Sequence, residues 1–490
     1  MKKILSLLVI LFTAFAVVSC GNGNDTGGGV TTPTRPDLKE IPALDTNATI
    51  EVEFWHAMGQ ANQAIIQNII DEFNVYYPNI IVTQTSMGDY TTLRDTITGA
   101  VAAGTTPTAA QTYPDHVAVY LHAGALAHLD PYINDPRYGI SEDELAQYLP
   151  GFLGEGTIYD QAGTRYALPF NKSTEILYYN TEIFAKYGWT APETWDQVVE
   201  ISKAWQKTDE YKAAYEAYDG KVAGMSYDSE ANLFITLTQQ WGGTYTAFDA
   251  EGKGIFSAFG VDADSTAKSK AALTWYLEQF NNQYIATTSF FGADYSSDAF
   301  KNGQCIMTIG SSAGASYNDG TTSTATVFTT SVSAYPQKAG TYSETKGNVI
   351  QQGTNVSLFK CADEQEQLAG WLWLKHMTSY ESALTWALET AYFPTRYDVL
   401  NSQEYQDHIK GIVRAEDGTI LTQNQTLPAK AKEAGLKQQN WFYTNVAFYG
   451  SSKARDEAET LVQAILYGAD GQTLTIDAAY ANALRRLSNN

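Results

Sequence analysis

The segment that decides the fold is Tyr166-Ala-Leu-Pro-Phe-Asn-Lys-Ser-Thr-Glu-Ile-Leu-Tyr-Tyr-Asn180. A short apolar run ends at Pro169, a polar cluster covers residues 171–175, and the branched and aromatic run Ile176-Leu-Tyr-Tyr179 follows. Proline occurs at strand edges and ends, while a short run of branched and aromatic residues is typical of a buried strand. The segment therefore predicts two strands separated by a polar gap. That gap is either a hydrophilic turn or a set of polar groups that face a cleft.

The whole chain is long, acidic and rich in aromatic residues. Its 490 residues exceed one ordinary hydrophobic core and predict two large lobes. The formal net charge of −23 disfavours nucleic acid and anionic membrane surfaces as partners. The 32 Tyr and 10 Trp residues are more informative, because such a ring combines an apolar face with a polar edge.

Residues 1–19 have the features of a secretory signal peptide. They combine a basic Lys2-Lys3 start, an apolar run over 4–18 and a small residue before Cys20. This pattern resembles a bacterial lipobox and predicts that Cys20 is lipidated, whereas an uncleaved membrane helix is disfavoured because the run is short for a bilayer. Residues 20–48 predict a flexible tether. We expect a protein exported and anchored by lipid to the outer side of the bacterial cytoplasmic membrane, or held in the periplasm.

Two further cysteines, Cys305 and Cys361, leave their redox state open. In an exported chain they either form a disulfide or remain two buried thiols, since a domain of this size needs no covalent link. Neither the cysteines nor the six histidines show the spacing of metal ligands. We expect no metal site and no cofactor.

Strand and helix patterns alternate from residue 49 onward. Apolar residues alternate with polar ones over 50–54, and those of 65–73 then follow with helical spacing. A strand at 80–85 and a helix from Asp89 to Gly104 repeat the order. This order predicts an α/β fold with a largely parallel sheet.

Aromatic and acidic residues follow the ends of the predicted strands. Trp55, Tyr90, Tyr113 and Asp115 all stand there, and in open α/β sheets ligands lie beyond the carboxyl ends of the strands. We expect a ligand site at this rim, because an aromatic ring offers an apolar face for stacking while short polar side chains offer hydrogen bonds. Packing within the core is the open alternative for each ring.

Several groups of short motifs lie in one order over nearly the whole mature chain. They are Phe54-Trp-His-Ala-Met58 with Phe73-Asn74, Gly88-Asp-Tyr90, Leu168-Pro-Phe-Asn171 with Tyr178-Tyr-Asn180, Pro192-Glu-Thr-Trp195, Phe300-Lys-Asn-Gly303 with Met307-Thr308, and Gly353-Thr-Asn355. In this ordered set the chain resembles extracellular solute-binding proteins of carbohydrate ABC importers. It is similar to their glycerol-3-phosphate-binding branch and to maltose-type binding proteins.

The resemblance implies a periplasmic-binding-protein type II fold, in which crossing hinge strands join two α/β lobes that close on a ligand. It implies an N-terminal lobe of residues 49–168 and 308–350, and a C-terminal lobe of residues 169–307 and 351–490. The implied partners are the solute and the membrane permease subunits of an ABC importer. We expect a monomer that catalyses no reaction.

The resemblance also implies ligand contacts, at Tyr90, Tyr113, Ser173, Ser311, Gly353 and Tyr392. With the polar and aromatic loop residues added, the predicted ligand-binding set is Trp55, Tyr90, Tyr113, Asp115, Asn171, Ser173, Glu175, Tyr227, Asn232, Trp241, Ser311, Gly353, Thr354 and Tyr392. Lys172 is expected to be solvated, and His56 to be packed or to support the site from behind.

The solute class follows from departures from the glycerol-3-phosphate branch. Where that branch has two tryptophans, this chain has Ser229 and Asn232. The phosphate-contacting arginine of that branch corresponds to a position near Phe448 in this chain. A buried dianion without an arginine would be poorly paired. We predict a neutral sugar or oligosaccharide, with glycerol-3-phosphate or a glycerophosphodiester as the alternative.

An enzyme is the rival class. A surface glycoside hydrolase would use paired carboxylates, for which Glu175 and Asp115 are candidates. No nucleophile elbow, phosphate loop or metal motif accompanies them in the sequence.

Overall fold

The protein is described by a computed structural model over residues 40–468 and 472–488. The predicted signal peptide, Cys20 and residues 20–39 of the predicted tether lie outside this part of the chain. Among the residues that are described, no helix combines the length and the hydropathy that a membrane crossing requires.

One large mixed sheet of ten strands runs through the described chain. Four further strands lie outside this sheet. In chain order, all strands of the described residues are β1 (Ile50–His56), β2 (Ile80–Ser86), β3 (Ala109–Thr112), β4 (Leu168–Asn180), β5 (Met225–Tyr227), β6 (Ala247–Phe248), β7 (Gly254–Ile255), β8 (Ile285–Thr287), β9 (Met307–Ser311), β10 (Thr330–Ser333), β11 (Val349–Leu358), β12 (Ile412–Arg414), β13 (Ile420–Gln423) and β14 (Phe442–Tyr443). The order in the large sheet is β2-β1-β3-β11-β4-β9-β5-β8, with β10 beside β4 and β14 beside β11. The pairs β6-β7 and β12-β13 form separate hairpins.

Helices cover the sheet and complete the α/β fold. They are α1 (Gln60–Tyr76), α2 (Tyr90–Ala103), α3 (Pro114–His122), α4 (Asp130–Ile133), α5 (Glu142–Leu145), α6 (Pro150–Gly154), α7 (Thr181–Tyr187), α8 (Trp195–Trp205), α9 (Asp209–Ala217), α10 (Glu230–Gln240), α11 (Ala263–Asn281), α12 (Thr288–Phe291), α13 (Ser296–Lys301), α14 (Glu364–Met377), α15 (Tyr380–Glu389), α16 (Tyr397–Asn401), α17 (Gln403–Lys410), α18 (Leu427–Lys437), α19 (Ser451–Leu466) and α20 (Ile476–Leu487).

The first two strand and helix pairs form where the sequence predicts them. Helix α1 buries Ile65, Ile66, Ile69, Ile70 and Phe73, the positions with helical spacing. The Asp89 side chain accepts from the backbone N–H of Thr92 and begins α2, which ends at Gly104 with a φ of 71°. Strands β1, β2 and β3 pair in parallel, so the predicted parallel α/β layering is confirmed.

The opening segment, however, is one continuous strand. Strand β4 spans 13 residues from Leu168 to Asn180, and all of them are buried except the half-buried Tyr179. Its first half pairs with β11 and its second half with β9 and β10. The polar cluster stays in the strand because buried groups satisfy it: the Thr174 hydroxyl, for example, donates to the Ile350 carbonyl at 2.8 Å.

Two main hydrophobic cores define two lobes on either side of β4 and β11. In the first lobe, β1, β2 and α1 pack against α14, with Phe73, Trp371 and Trp373 buried. In the second lobe, α8, α10, α11 and α19 pack around β5, with Trp195 and Trp205 buried. The crossing strands belong to both lobes.

The segments of the two lobes differ from the predicted bounds. Strand β9 pairs with β5, and Val349 and Ile350 lie in the second core, so residues 308–350 do not join the first lobe as predicted. Val356, Leu358 and helix α14 pack in the first core instead. A short apolar strand does not show which neighbouring strand it pairs with, so the Met307-Thr308 motif alone misplaced the crossing.

The end of the predicted tether is ordered against the first lobe. The Leu44 N–H donates to the Tyr138 hydroxyl at 2.9 Å, and the Gln365 side chain donates to the Ala43 carbonyl at 2.9 Å. Residues 43–48 are therefore part of the fold, contrary to the prediction. Separately, Cys305 is a buried thiol and Cys361 a half-buried one, so the described chain has the two thiols of the second alternative, although only one of them is buried.

Candidate functional site

A cavity of about 370 Å³ lies between the lobes. Helices α2 and α3 form its first-lobe side, α10 and α19 form its second-lobe side, and β11 lines the junction. The side chains that dominate its chemistry are Tyr90, Arg94, Tyr113, Asp115, Glu155, Asn232, Tyr245, Gln351, Gln352, Tyr443, Arg455, Asp456 and Glu459. A small polar molecule placed here would touch both lobes at once.

Five of the predicted ligand-binding residues line this cavity: Tyr90, Tyr113, Asp115, Asn232 and Gly353. Tyr90 and Tyr113 contact each other edge to face, with ring centroids 4.8 Å apart. Tyr90 begins α2 and Tyr113 directly precedes α3, so both follow the carboxyl ends of strands as the sequence predicts.

A second group of predicted residues lies directly behind the wall. Asn171 donates to the Tyr90 hydroxyl at 3.4 Å and accepts from the Thr354 N–H at 3.2 Å. Tyr392 lies near Tyr90, where it helps burial to raise the pKa of the Tyr90 hydroxyl, and it stacks on Trp386, with centroids 5.9 Å apart. Asn171, Thr354 and Tyr392 thus position Tyr90 rather than line the cavity.

Glu175 is the centre of a buried network on the second-lobe side. It accepts from the Tyr227 hydroxyl at 2.5 Å and from the Asn232 amide at 2.8 Å, and the Asn232 carbonyl in turn accepts from Arg455. Burial raises the pKa of Glu175 to about 7, although the hydrogen bonds from Tyr227 and Asn232 oppose the shift. Glu175 therefore acts on the cavity through Asn232 and Arg455.

The remaining predicted residues lie away from the wall. Trp55 packs against a small first-lobe cluster with Leu93. Trp241 packs on Trp275 at 5.2 Å and lies under the Lys338 ammonium group at 4.6 Å. Both rings therefore pack within the protein and do not line the cavity.

Two serines and a histidine also have structural partners. Ser311 donates to Ser173 at 3.2 Å, which links β9 to β4. His56 is buried and accepts from the Met58 N–H at 3.1 Å, so the expectation that it is packed is confirmed.

The prediction for Lys172 is wrong, since its side chain is fully buried rather than solvated. Its ammonium group contacts the Glu155 carboxylate, which also accepts from Gln351 and Asn355 at 3.0 Å each. Burial lowers the pKa of Lys172, and Glu155 opposes that shift. The pair joins a first-lobe turn to both crossing strands at the edge of the cavity.

Sequence reasoning missed the charged part of the wall. Arg455, Asp456 and Glu459 stand on α19 and line the cavity. The motif count placed the family arginine at Phe448, but Arg455 lies seven positions later, in the first turns of a helix. A loop of unknown length before α19 shifts such a count. The i, i+4 spacing of Arg455 and Glu459 and the i, i+3 spacing of Asp456 and Glu459 were available as signals of one helix face.

The lobes contact each other beside the cavity. Arg94 of α2 donates to the Ser452 hydroxyl at 3.1 Å and lies 3.9 Å from the Asp456 carboxylate. The His122 ring stacks on Tyr449, with centroids 3.9 Å apart and planes 21° apart. Because α2 and α3 belong to the first lobe and α19 to the second, these contacts join the two lobes beside the cavity.

The two carboxylates considered for a glycoside hydrolase do not both line the cavity. Glu175 lies behind Asn232, so it and Asp115 do not form a carboxylate pair across a substrate. Over residues 40–468 and 472–488, no three His, Cys, Asp or Glu side chains come together closely enough to hold a metal ion.

Comparison with known proteins places this geometry in a family. A family model for bacterial extracellular solute-binding proteins matches residues 68–411. The sn-glycerol-3-phosphate-binding periplasmic protein UgpB of Escherichia coli (strain K12) is 24% identical over 380 residues, which cover 75% of this chain and 80% of that protein.

Two solved structures share the architecture. UgpB from Mycobacterium tuberculosis, in complex with glycerophosphocholine, has a TM-score of 0.67 at 16% identity and covers 90% of this chain and 98% of its own. The maltose/maltodextrin-binding domain MalE from Bdellovibrio bacteriovorus, bound to maltotriose, has a TM-score of 0.63 at 16% identity, with coverages of 90% and 99%. The predicted type II binding-protein fold is confirmed, and the chain belongs to the family of bacterial extracellular solute-binding proteins.

Proposed function

We propose that this protein is the receptor of an ABC importer, which captures a sugar or an oligosaccharide between its lobes and delivers it to a membrane permease. The observation that carries the proposal is a cavity lined from both lobes by tyrosines and short polar side chains. A solute that touches both lobes favours the closed state, and that state can then be recognised by a partner. Energy would come from the partner, so no reaction is catalysed by this chain.

The charge of the cavity supports a sugar over a phosphate dianion. Its wall holds two arginines, Arg94 and Arg455, against four carboxylates. One of these, Glu155, is paired with the buried Lys172, so three carboxylates face the two arginines. Arg94 is engaged by Asp95 at 2.8 Å and by Ser452. A dianion would lie near uncompensated carboxylates in a partly desolvated site, where like charges repel strongly.

A glycerophosphodiester is the second candidate, and Arg455 is the observation that favours it. A phosphodiester carries one negative charge, which a single guanidinium group can pair. The relative of Escherichia coli is named for glycerol-3-phosphate, and the Mycobacterium tuberculosis structure holds glycerophosphocholine.

We further propose that the chain is exported as a monomer and anchored by a lipid on Cys20, at the outer side of the bacterial cytoplasmic membrane or in the periplasm. The lipobox-like sequence before Cys20 supports the anchor. Expression of the full chain in a bacterial host with a radiolabelled fatty acid should label the wild type and leave Cys20→Ser unlabelled. Equal labelling of both would contradict the anchor.

Calorimetry and thermal unfolding with maltotriose, glucose, glycerol-3-phosphate and glycerophosphocholine test the solute class. At 100 times its dissociation constant a solute adds about 2.7 kcal/mol to the unfolding free energy. We expect sugars to stabilise the protein, and stabilisation by the phosphate esters alone would contradict the sugar proposal.

Arg455→Gln separates the two candidates further. It should weaken binding of a phosphodiester more than binding of a neutral sugar, because a charge-assisted contact is lost. Arg485→Gln, at an exposed position on α20, is the matched control. The enzyme hypothesis is checked by following glycoside turnover, which we expect to be absent in both wild type and Glu175→Gln.

A further inference from the structure

We propose that the solute is a mono- or disaccharide, and that Arg94 excludes longer chains at the mouth of the cavity. This inference rests on the proposed sugar-binding function and deepens it, because a cleft between two lobes by itself sets no limit on the length of a carbohydrate. The volume of the cavity, the contacts between its walls and the arrangement of its aromatic rings support the inference.

The cavity is small for a carbohydrate site. Its volume of about 370 Å³ lies near the lower end of the range of about 300–1,000 Å³ that is usual for small-molecule sites, which enclose most of their ligand. One or two sugar rings fill such a space. A longer chain binds here only if its remaining rings leave through an opening between the lobes.

Residues 444–449, the bridging segment between β14 and α19, join the lobes at one side of the cavity. The first four of them line it. The second lobe holds Val446, whose carbonyl accepts from the Thr246 hydroxyl at 2.8 Å. Ala447 instead packs in the small first-lobe cluster, and its N–H donates to the Ile158 carbonyl at 3.2 Å. Because Ile158 and Ala447 both line the cavity from opposite lobes, their contact closes this side to a solute.

The mouth of the cavity lies between α2 and α19. Three of its four exposed lining residues stand on these helices, and the fourth begins the bridging segment: Thr91, Asp456, Glu459 and Thr444. Arg94, one turn after Thr91 on α2, reaches across the mouth. It donates to the Ser452 hydroxyl on α19 at 3.1 Å, and its side chain is only 21% exposed. A solute that extends through this mouth has to displace Arg94 and break its contact with Ser452.

The aromatic rings of the wall also suit a short solute. Three half-buried tyrosines line the cavity: Tyr90, Tyr113 and Tyr443. Tyr90 and Tyr113 pack edge to face, so the pair offers a single stacking surface on the first lobe. Tyr443 lies on the second-lobe side, where its hydroxyl is hydrogen-bonded to Thr236 at 2.9 Å. Two opposed surfaces cover one or two sugar rings, whereas a longer chain needs further rings to stack on.

Oligosaccharide series whose members differ only in length test the inference. Calorimetry measures the affinity of the protein for glucose to maltotetraose, for cellobiose to cellotetraose and for xylose to xylotetraose. In each series that binds, we expect the monosaccharide or the disaccharide to bind tightest. The tetrasaccharide should bind about tenfold more weakly than the tightest member, which corresponds to ~1.4 kcal/mol, because part of it has no room between the lobes.

The outcomes separate this inference from the proposed function. If a trisaccharide or tetrasaccharide binds as tightly as the shorter members of its series, the limit on length is wrong and sugar binding stands. If glycerophosphocholine binds and no sugar of any series does, both proposals are overturned. Absence of binding in every series also counts against both.

Arg94→Ala tests whether this side chain limits the length of the solute. Loss of the guanidinium group widens the mouth between α2 and α19, so the affinity for a trisaccharide relative to its disaccharide should rise by about threefold or more. Arg485→Ala, at an exposed position on α20, also removes an arginine and should leave the ratio unchanged. An unchanged ratio in Arg94→Ala would overturn the role assigned to Arg94.

Discussion

Lys172 and Glu155 form an ion pair with almost no access to solvent, at 0% and 5% side-chain exposure. The pair lies at the edge of the cavity where β4 crosses between the lobes, and Glu155 also accepts from Gln351 and Asn355 of β11. One carboxylate therefore joins both crossing strands to a first-lobe turn.

Removing one member of this pair should be costly. We expect Lys172→Met or Glu155→Gln to lower the unfolding free energy by about 3–5 kcal/mol, because each leaves a buried charge or polar group without its partner. Urea denaturation measures the change. The double variant should lose less than the sum of the two single losses.

The exposed pair of Lys212 and Asp209 provides the control, with side-chain exposures of 64% and 95%. Lys212→Met should leave the unfolding free energy almost unchanged, because solvent screens an exposed ion pair. A comparable loss at both sites would mean that burial does not control the contribution of these ion pairs.

Gly353 should tolerate no side chain at the crossing of β4 and β11. It has a φ of +91°, and an added Cβ would meet the Asn171 carbonyl oxygen at 1.9 Å and the Lys172 Cα at 2.8 Å. We expect Gly353→Ala to cost more than ~2 kcal/mol in urea denaturation, since strain and backbone overlap add. Gly340→Ala is the matched control, because Gly340 has a φ of +75° with nothing within 4 Å. Equal losses would show that φ alone, and not the close approach of the strands, limits the site.

Glu175 should make stability depend on pH. Burial raises its pKa from 4.5 to about 7 in the folded protein, so between these values the folded state holds a proton that the unfolded state has released. The resulting stabilisation is fully present below pH ~4.5 and is lost as pH rises through ~7, with a total of about 3 kcal/mol.

Urea denaturation of wild type and Glu175→Gln at pH 5 and pH 8 measures this contribution. The stability of the wild type relative to the variant should fall between the two pH values. Glu278→Gln, at an exposed position on α11, should show no such change relative to wild type. Parallel pH profiles for wild type and Glu175→Gln would contradict the prediction.

The stack of His122 on Tyr449 should bias the protein toward the closed state without touching the solute. Tyr449 is 52% exposed, and such ring pairs contribute about 0.5–1.5 kcal/mol. We expect Tyr449→Ala to weaken the affinity for a sugar about twofold to tenfold, because the binding-competent closed state becomes less populated. Calorimetry measures the affinity, and small-angle scattering should show a larger radius of gyration without ligand.

The exposed Tyr317 offers a matched control for this variant, at 71% exposure. Tyr317→Ala should change neither the affinity nor the radius of gyration. If Tyr449→Ala also leaves both quantities unchanged, the stack does not contribute to closure.

Local patterns predicted the first lobe well. The apolar spacing of α1 and the Asp89 cap of α2 fixed two helices because both signals act within a few residues. Tyr90 and Tyr113 were found because each follows the end of a predicted strand. In a parallel sheet the carboxyl ends of the strands lie at one edge, so the two rings lie on the same rim. These features need no knowledge of distant contacts.

Features that depend on distant partners were missed. The polar residues of β4 suggested a gap, because their partners, such as Glu155 and Ile350, come from other parts of the chain. Arg455 was missed because a count along the chain cannot follow changes in loop length. The assignment of residues 308–350 was wrong because a short apolar run does not show which neighbouring strand of the sheet it pairs with.

The packing of residues 43–48 on the first lobe has a mechanical consequence. A pull on the N-terminus is carried by the Leu44 and Ala43 contacts into Tyr138 and Gln365, and so into the first lobe alone. In the proposed hinge motion, the second lobe would rotate on β4 and β11 relative to a first lobe that is held in place. In a protein held by its N-terminus, the first lobe would stay fixed while the second lobe moves.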